Sequence, residues 1–172
     1  EHGGEIATAM TPRLVLLAYV AVGGAFGTVA RYVLTLVIQQ RAGPGFPVAT
    51  LVVNVTGSLL LGFLMRYGLE SATTSPEIRL LMTTGFCGGY TTFSTFSYET
   101  ARLIEDGDWR RGLAYVIASV VVSIVGMFGG LFVAEKVPSE SLSKAFGWFV
   151  VVLALVIGGL AAAGVRTTSL TS

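Results

Sequence analysis

The chain has 172 residues, of which 53% are hydrophobic and only 12% charged, and its formal net charge is +1. Because soluble domains carry about 25% charged residues, this composition predicts an integral membrane protein, and the lack of a basic run excludes nucleic acid as an expected partner. The single cysteine, Cys87, excludes an intramolecular disulfide, and the single histidine, His2, lies in a polar N-terminal tail. We therefore expect neither a metal site built on these residues nor an enzyme.

Five segments reach or approach the length of about 20 apolar residues that a membrane-spanning helix needs. In chain order they are residues 14–38, 47–65, 78–104, 112–134 and 145–165. The third segment is the least apolar and the fifth is uniformly apolar. This pattern predicts an all-α, multi-pass protein of the plasma or inner membrane.

The same pattern divides the chain into three parts. Residues 1–12 form a polar tail, residues 13–137 a four-helix domain, and residues 138–172 a loop, an extra apolar helix and a C-terminal tail. The extra helix, 145–165, is expected either to cross the membrane at the periphery or to lie in the lipid.

Positive charges in the loops are balanced between the two sides of the membrane. One side carries Arg13, Arg66, Arg79, Lys136 and Lys144. The other side carries Arg41, Arg102, Arg110, Arg111 and Arg166. An excess on one side normally sets the orientation, so the balance reflects either chance or a chain that inserts in both orientations and pairs as an antiparallel dimer.

The first two spans each carry one strongly polar residue on a helical face that also carries small residues. Gly23, Gly27 and Arg31 are spaced by four and share a helical face. Arg31 is costly in lipid, so it either reaches the interface from a shallow position or lines an aqueous vestibule that attracts anions. Asn54 in the second span either joins two helices or offers its amide donors to an anion.

The third span contains the run GFCGGYTTFSTFSYET, residues 85–100. Its glycines, Gly85, Gly88 and Gly89, lower helix propensity by about 1 kcal/mol each relative to alanine. They indicate close helix packing, or, together with the YTT of residues 90–92, a helix broken near mid-membrane. The carbonyl oxygens freed by such a break could coordinate Na⁺.

The second half of this run combines aromatic rings with hydroxyl groups. Phe93 and Phe96 share a helical face and alternate with hydroxyls, and the positive edge of an aromatic ring attracts anions. Glu99 lies one turn after Thr95 and is either an ordinary interfacial carboxylate or part of the same path. In the fourth span, Ser119 and Ser123 are four apart and either bond to carbonyls of their own helix or offer donors. The interleaved hydroxyls belong to Thr92, Ser94, Thr95 and Ser97.

These polar groups are mostly hydrogen-bond donors, and neither of the first two spans holds a carboxylate near mid-membrane. Such a set suits a small anion that has lost much of its water. It does not suit a proton-coupled cation exporter.

Three motifs are similar to those of the Fluc/CrcB fluoride channel family over residues 14–137. They are the GxxxR run from Gly27 to Arg31, Asn54 with Gly57, and TTGFCGGYTTFSTFSYE in the third span. The resemblance implies four-helix subunits with a broken third helix, paired as antiparallel, dual-topology homodimers. It also implies two pores at the subunit interface, passive and selective fluoride export, and a central structural Na⁺.

The resemblance also implies individual roles. The carbonyls of Gly88 and Thr91 would hold the Na⁺, and Arg31 would make the vestibule attractive to anions. This sequence has Ser119 at a position where family members often carry a larger Tyr or His. The fluoride pore would be lined by Asn54, Thr92, Phe93, Thr95, Phe96, Glu99, Ser119 and Ser123.

Two other functions remain open from the residues. A small dual-topology multidrug or cation exporter would need a membrane-embedded carboxylate, for which Glu99 is poorly placed. A membrane assembly subunit that does not transport would leave the donor-rich third span unexplained.

Overall fold

The computed structural model describes residues 2–42, 45–70, 74–136 and 144, which contain helices and no strand. The chain divides into two compact units, Glu1–Val137 and Pro138–Ser172. The extra helix predicted at 145–165 lies outside the described residues. The helices are α1 (His2–Ala42), α2 (Val48–Glu70), α3 (Pro76–Leu80), a π-helix (Leu81–Cys87), α4 (Gly88–Tyr90), α5 (Phe93–Glu105) and α6 (Trp109–Lys136).

Three helical segments are long and apolar enough to cross a membrane, namely Arg13–Ala42, Val48–Tyr67 and Trp109–Lys136. They coincide with the first, second and fourth predicted spans, so the prediction of an all-α, multi-pass membrane protein is confirmed. α1 itself begins at His2, so residues 2–12 of the predicted polar tail are helical, and the part of α1 that could cross a membrane begins at Arg13.

The third predicted span is built from several short helices and is interrupted at two residues. Thr91 (φ −79°, ψ 160°) and Thr92 (φ −150°, ψ 116°) are extended, and α5 starts immediately after them. The glycines expected to cause a break lie before it in helical backbone; Gly88, for example, has φ −64° and ψ −39°. The interruption therefore follows the glycines.

Most of these glycines serve close packing between α1 and the third span. A Cβ on Gly27 would collide with the carbonyl oxygen of Phe86, and a Cβ on Gly89 would collide with the backbone of Gly24. Small residues on both partners let two helix backbones touch in a membrane. Gly88 is different, since a Cβ there would meet nothing within 4 Å.

A second close contact joins α2 to α6, the most extensively packed pair of helices. A Cβ on Gly62 would collide with the carbonyl of Met127, and one on Gly130 with the carbonyl of Leu59. One contact thus holds α2 against α6, and the other holds the third span against α1.

Replacement of Gly27 by alanine should lower the free energy of unfolding by about 1–3 kcal/mol, because the added methyl meets backbone that cannot move aside. The matched control is Gly129→Ala on α6, where a Cβ meets nothing within 4 Å. That control should be neutral or gain up to about 1 kcal/mol from helix propensity. Thermal unfolding of the purified protein in detergent measures both, and equal stability of the two variants would contradict the packing argument.

Candidate ion pathway

The interruption redirects two backbone N–H groups away from their helical partners. The Thr92 N–H donates to Asn54 Oδ1 at 2.8 Å, and the Thr95 N–H donates to Thr92 Oγ1 at 3.2 Å. In a continuous α-helix these groups would donate to the carbonyls four residues earlier, which belong to Gly88 and Thr91. Those two carbonyl oxygens therefore lose their usual helical donors.

Asn54 holds the interruption in place from α2. Its Nδ2 donates to the Thr92 carbonyl at 3.0 Å while its Oδ1 accepts from the Thr92 N–H. Of the two alternatives left by the sequence, the structure shows that Asn54 joins two helices. The amide has a second N–H, which makes no hydrogen bond to any described residue and remains available to another acceptor.

Hydroxyl groups continue from the interruption into the first turn of α5. Thr92 Oγ1 donates to Thr95 Oγ1 at 2.9 Å and lies 3.2 Å from Ser94 Oγ. Because the Thr95 hydroxyl accepts this bond, its own proton can be donated elsewhere. Ser97 instead donates to the Phe93 carbonyl of its own helix at 2.9 Å.

One turn further along α5, a carboxylate is held by two other helices. Glu99 Oε1 accepts from the Thr50 hydroxyl at 2.9 Å, and Glu99 Oε2 accepts from the Tyr115 hydroxyl at 2.7 Å. Glu99 is therefore part of a partly buried hydrogen-bonded cluster that links α5 to α2 and α6.

Tyr115 is the functional candidate that the sequence analysis missed. It is fully buried, and its ring packs on that of Phe96 with centroids 5.3 Å apart. Its position shows a signal in the sequence, since Tyr115, Ser119 and Ser123 recur every four residues on one face of α6. An aromatic hydroxyl thus occupies this face one turn before Ser119.

The two serines extend the same polar face. Ser119 is buried, and its hydroxyl makes no hydrogen bond to any described residue. The Ser123 hydroxyl is also buried and makes no hydrogen bond to any described residue, so it does not bond to the carbonyl of its own helix. Buried hydroxyls in native proteins normally have partners, and this one can still donate to an ion.

The two phenylalanines have opposite environments within one protomer. Phe96 is 8% exposed and packs inside, whereas Phe93 is 78% exposed, with ring centroids 5.4 Å apart. The structure thus keeps the rings in contact but places only Phe96 among the buried polar groups.

A cleft of about 110 Å³ brings several of the predicted residues together. Arg31 enters its wall from α1, where its Nε donates to the Gly89 carbonyl at 3.2 Å. Asn54, the two phenylalanines and the two serines do not line this cleft. Its lining consists of Arg31, Tyr32, Thr35, Gln39, Thr50, Val53, Thr92, Thr95 and Glu99.

Among the described residues, no group of three or more His, Cys, Asp or Glu side chains could hold a metal ion.

The fold and this site define a multi-pass membrane protein with a polar path beside a broken helix. Residues 18–131 match the family model described as "CrcB-like protein, Camphor Resistance (CrcB)". The chain therefore belongs to the CrcB family.

Curated relatives agree with this membership. The "Fluoride-specific ion channel FluC" of Rhizobium meliloti (strain 1021) is 51% identical over 112 residues, which cover 65% of this chain and 90% of that protein. The protein of that name from Syntrophotalea carbinolica is 48% identical over 120 residues, covering 70% and 98%. A third, from Geobacter sulfurreducens, is 47% identical over 117 residues, covering 68% and 94%.

Replacement of Asn54 by alanine should destabilise the protein by about 1–3 kcal/mol, because both polar groups of the Thr92 peptide lose their partner. The control is Ser97→Ala, which removes a hydroxyl bonded only within its own helix. Chemical or thermal unfolding in detergent compares the two variants. If Asn54→Ala is as stable as the control, the anchoring role is wrong.

Proposed function

We propose that the protein is a passive, highly selective fluoride channel that exports fluoride down its electrochemical gradient. The observation that carries the proposal is the donor-lined cleft beside the interruption, in a chain whose relatives carry the name of fluoride-specific channels. Membership of this family also makes the protein a transporter rather than an enzyme.

The chemistry of the lining suits fluoride. Fluoride holds its water tightly, so a pore must replace that water with donors. The free hydroxyl proton of Thr95 can do so within the cleft. The free N–H of Asn54, the hydroxyl of Ser123 and the positive ring edge of Phe96 lie outside the cleft and would continue the path. Because these groups are uncharged, they bind the ion without trapping it, as conduction requires. Arg31 concentrates anions at the vestibule.

The exposed side of α5 supports assembly with a second copy. Phe93, Tyr98 and the hydroxyls of Ser94 and Ser97 are all exposed in the protomer. Polar groups near mid-membrane are costly unless protein or water covers them. An antiparallel homodimer with dual topology would cover this face, generate two pores at its interface and agree with the balanced loop charges.

The same pairing would create a site for a central structural Na⁺. The carbonyls of Gly88 and Thr91 lack their helical donors because Thr92 and Thr95 donate elsewhere. Gly88 is also exposed, with open space beside it. Two copies would contribute four such oxygens, and Na⁺ is commonly held by carbonyls of unwound helices.

One observation favours the alternative of a small dual-topology multidrug or cation exporter, namely that Glu99 lines the cleft. Both of its oxygens already accept hydrogen bonds from Thr50 and Tyr115. A carboxylate that exchanges protons for cations must release such partners in each cycle, so the donor-lined channel is the better account.

Liposomes containing the purified protein and loaded with fluoride should lose fluoride down its gradient, whereas chloride-loaded liposomes should retain chloride. The physical reason is that the narrow donor-lined path replaces the water of a small anion only. Ion-selective electrodes measure both effluxes, with protein-free liposomes as the background.

The variant Phe96→Ile separates the pore from a general leak, because it removes the buried ring edge while keeping an apolar side chain. Its fluoride efflux should fall well below that of the wild type, with the oligomer unchanged on size-exclusion chromatography. Equal loss of fluoride and chloride, or no protein-dependent efflux, would overturn the channel proposal.

Replacement of Na⁺ by a large organic cation at constant ionic strength should lower the thermal unfolding temperature and reduce fluoride efflux. The freed carbonyls would then lack a ligand at the subunit interface, and a ligand that binds only the folded protein stabilises it. Restoring Na⁺ should reverse both effects. If neither quantity depends on Na⁺, the metal assignment is wrong.

A further inference from the structure

A second, larger cleft adjoins the polar one. It measures about 530 Å³ and lies between the end of α1, the connection to α2, and α5. Its lining includes Arg102 and Asp106 from the end of α5. Only two residues line both clefts, Gln39 from α1 and Glu99 from α5. These two residues therefore form the junction between the polar cleft and the wider opening.

Gln39 belongs to a polar stripe on α1. Arg31, Thr35 and Gln39 are spaced by four, share one helical face, and all line the smaller cleft. The stripe begins at the arginine bonded to Gly89 and ends at the junction near the end of the helix. A helix that only contacted lipid would not need a row of polar side chains along one face.

The Glu99 carboxylate at the junction opposes the passage of an anion. Hydrogen bonds from Thr50 and Tyr115 hold the Glu99 carboxylate towards α2 and α6, yet its negative charge still repels a passing anion. The path therefore needs donors from another part of the lining. Gln39 supplies two amide N–H donors without fixed charge, and its side chain makes no hydrogen bond to any residue that the structure describes.

We propose that Gln39 is a binding residue of the ion path, and that its amide N–H groups donate to fluoride as the ion passes Glu99 between the two clefts. This inference rests on the fluoride conduction proposed above. The other charged groups lining the two clefts are Arg31 on one side of the junction and Arg102 and Asp106 on the other. Arg102 lies 3.7 Å from Asp106 and 3.8 Å from Glu105, so these charges partly offset one another and the junction relies on Gln39.

The test compares Gln39→Leu with Gln40→Leu in the liposome efflux assay. Gln40 is the adjacent, exposed glutamine, but it lines neither cleft. Gln39→Leu should reduce fluoride efflux about tenfold, the effect of losing one hydrogen bond to the ion, while Gln40→Leu should conduct like the wild type. Wild-type efflux from Gln39→Leu would overturn the inference and leave the channel proposal intact.

Two further variants separate ion contact from a structural role. Gln39→Asn keeps the amide and should retain more efflux than Gln39→Leu. Gln39→Glu places a second carboxylate at the junction and should conduct least of the three. All three should unfold at the temperature of the wild type. The inference would be overturned if the efflux of the variants varied with their unfolding temperature, or if efflux did not fall in the order Asn, Leu, Glu. Absence of fluoride efflux from the wild type itself would contradict the channel proposal and this inference with it.

Discussion

The structure depends on how a helix can be interrupted inside a membrane. Lipid offers no hydrogen bonds, so each backbone group freed by an interruption needs a partner from the protein. Asn54 meets this need by bonding both the N–H and the carbonyl of Thr92. Because the amide bonds both backbone groups of Thr92, the helix can stop at Tyr90 and restart at Phe93, while the carbonyls of Gly88 and Thr91 are left without their helical donors.

Because α5 begins at Phe93, directly after the interruption, the start of this helix fixes which of its side chains point inward and which point outward. Phe96 turns inward against Tyr115, Phe93 turns outward, and Glu99 reaches the hydroxyls of Thr50 and Tyr115. Arg31 is meanwhile bonded to the Gly89 carbonyl. Arg31 and Glu99 thus line one cleft without forming a salt bridge. A direct pair at about 4 Å would gain roughly 4 kcal/mol of Coulomb energy at an effective dielectric of 20 and would close the path.

Several features of this arrangement could be predicted from residue types and spacing. The apolar segments gave the spans, and the Thr-Phe-Ser run indicated a donor-rich third helix. The role of the glycines was only partly foreseen, because glycine weakens a helix on its own but is also what two touching helices require. In this protein Gly27 and Gly89 serve the contact, and the interruption falls two residues after Gly89. Tyr115 was missed because a single tyrosine in a helix is common, although it shares the four-residue spacing of Ser119 and Ser123.

The sequence by itself determined that the chain is a multi-pass, all-α membrane protein with a donor-rich third span, because hydropathy and helical period are local properties that each segment carries alone. The tertiary structure decided which donors remain free. The side chain of Asn54 has two N–H groups in any context. Only the contact with Thr92 decides that one of them donates to a backbone carbonyl while the other remains free. Likewise, Glu99 acquired its two hydrogen bonds only when α2 and α6 brought Thr50 and Tyr115 to it, since such contacts join residues far apart along the chain.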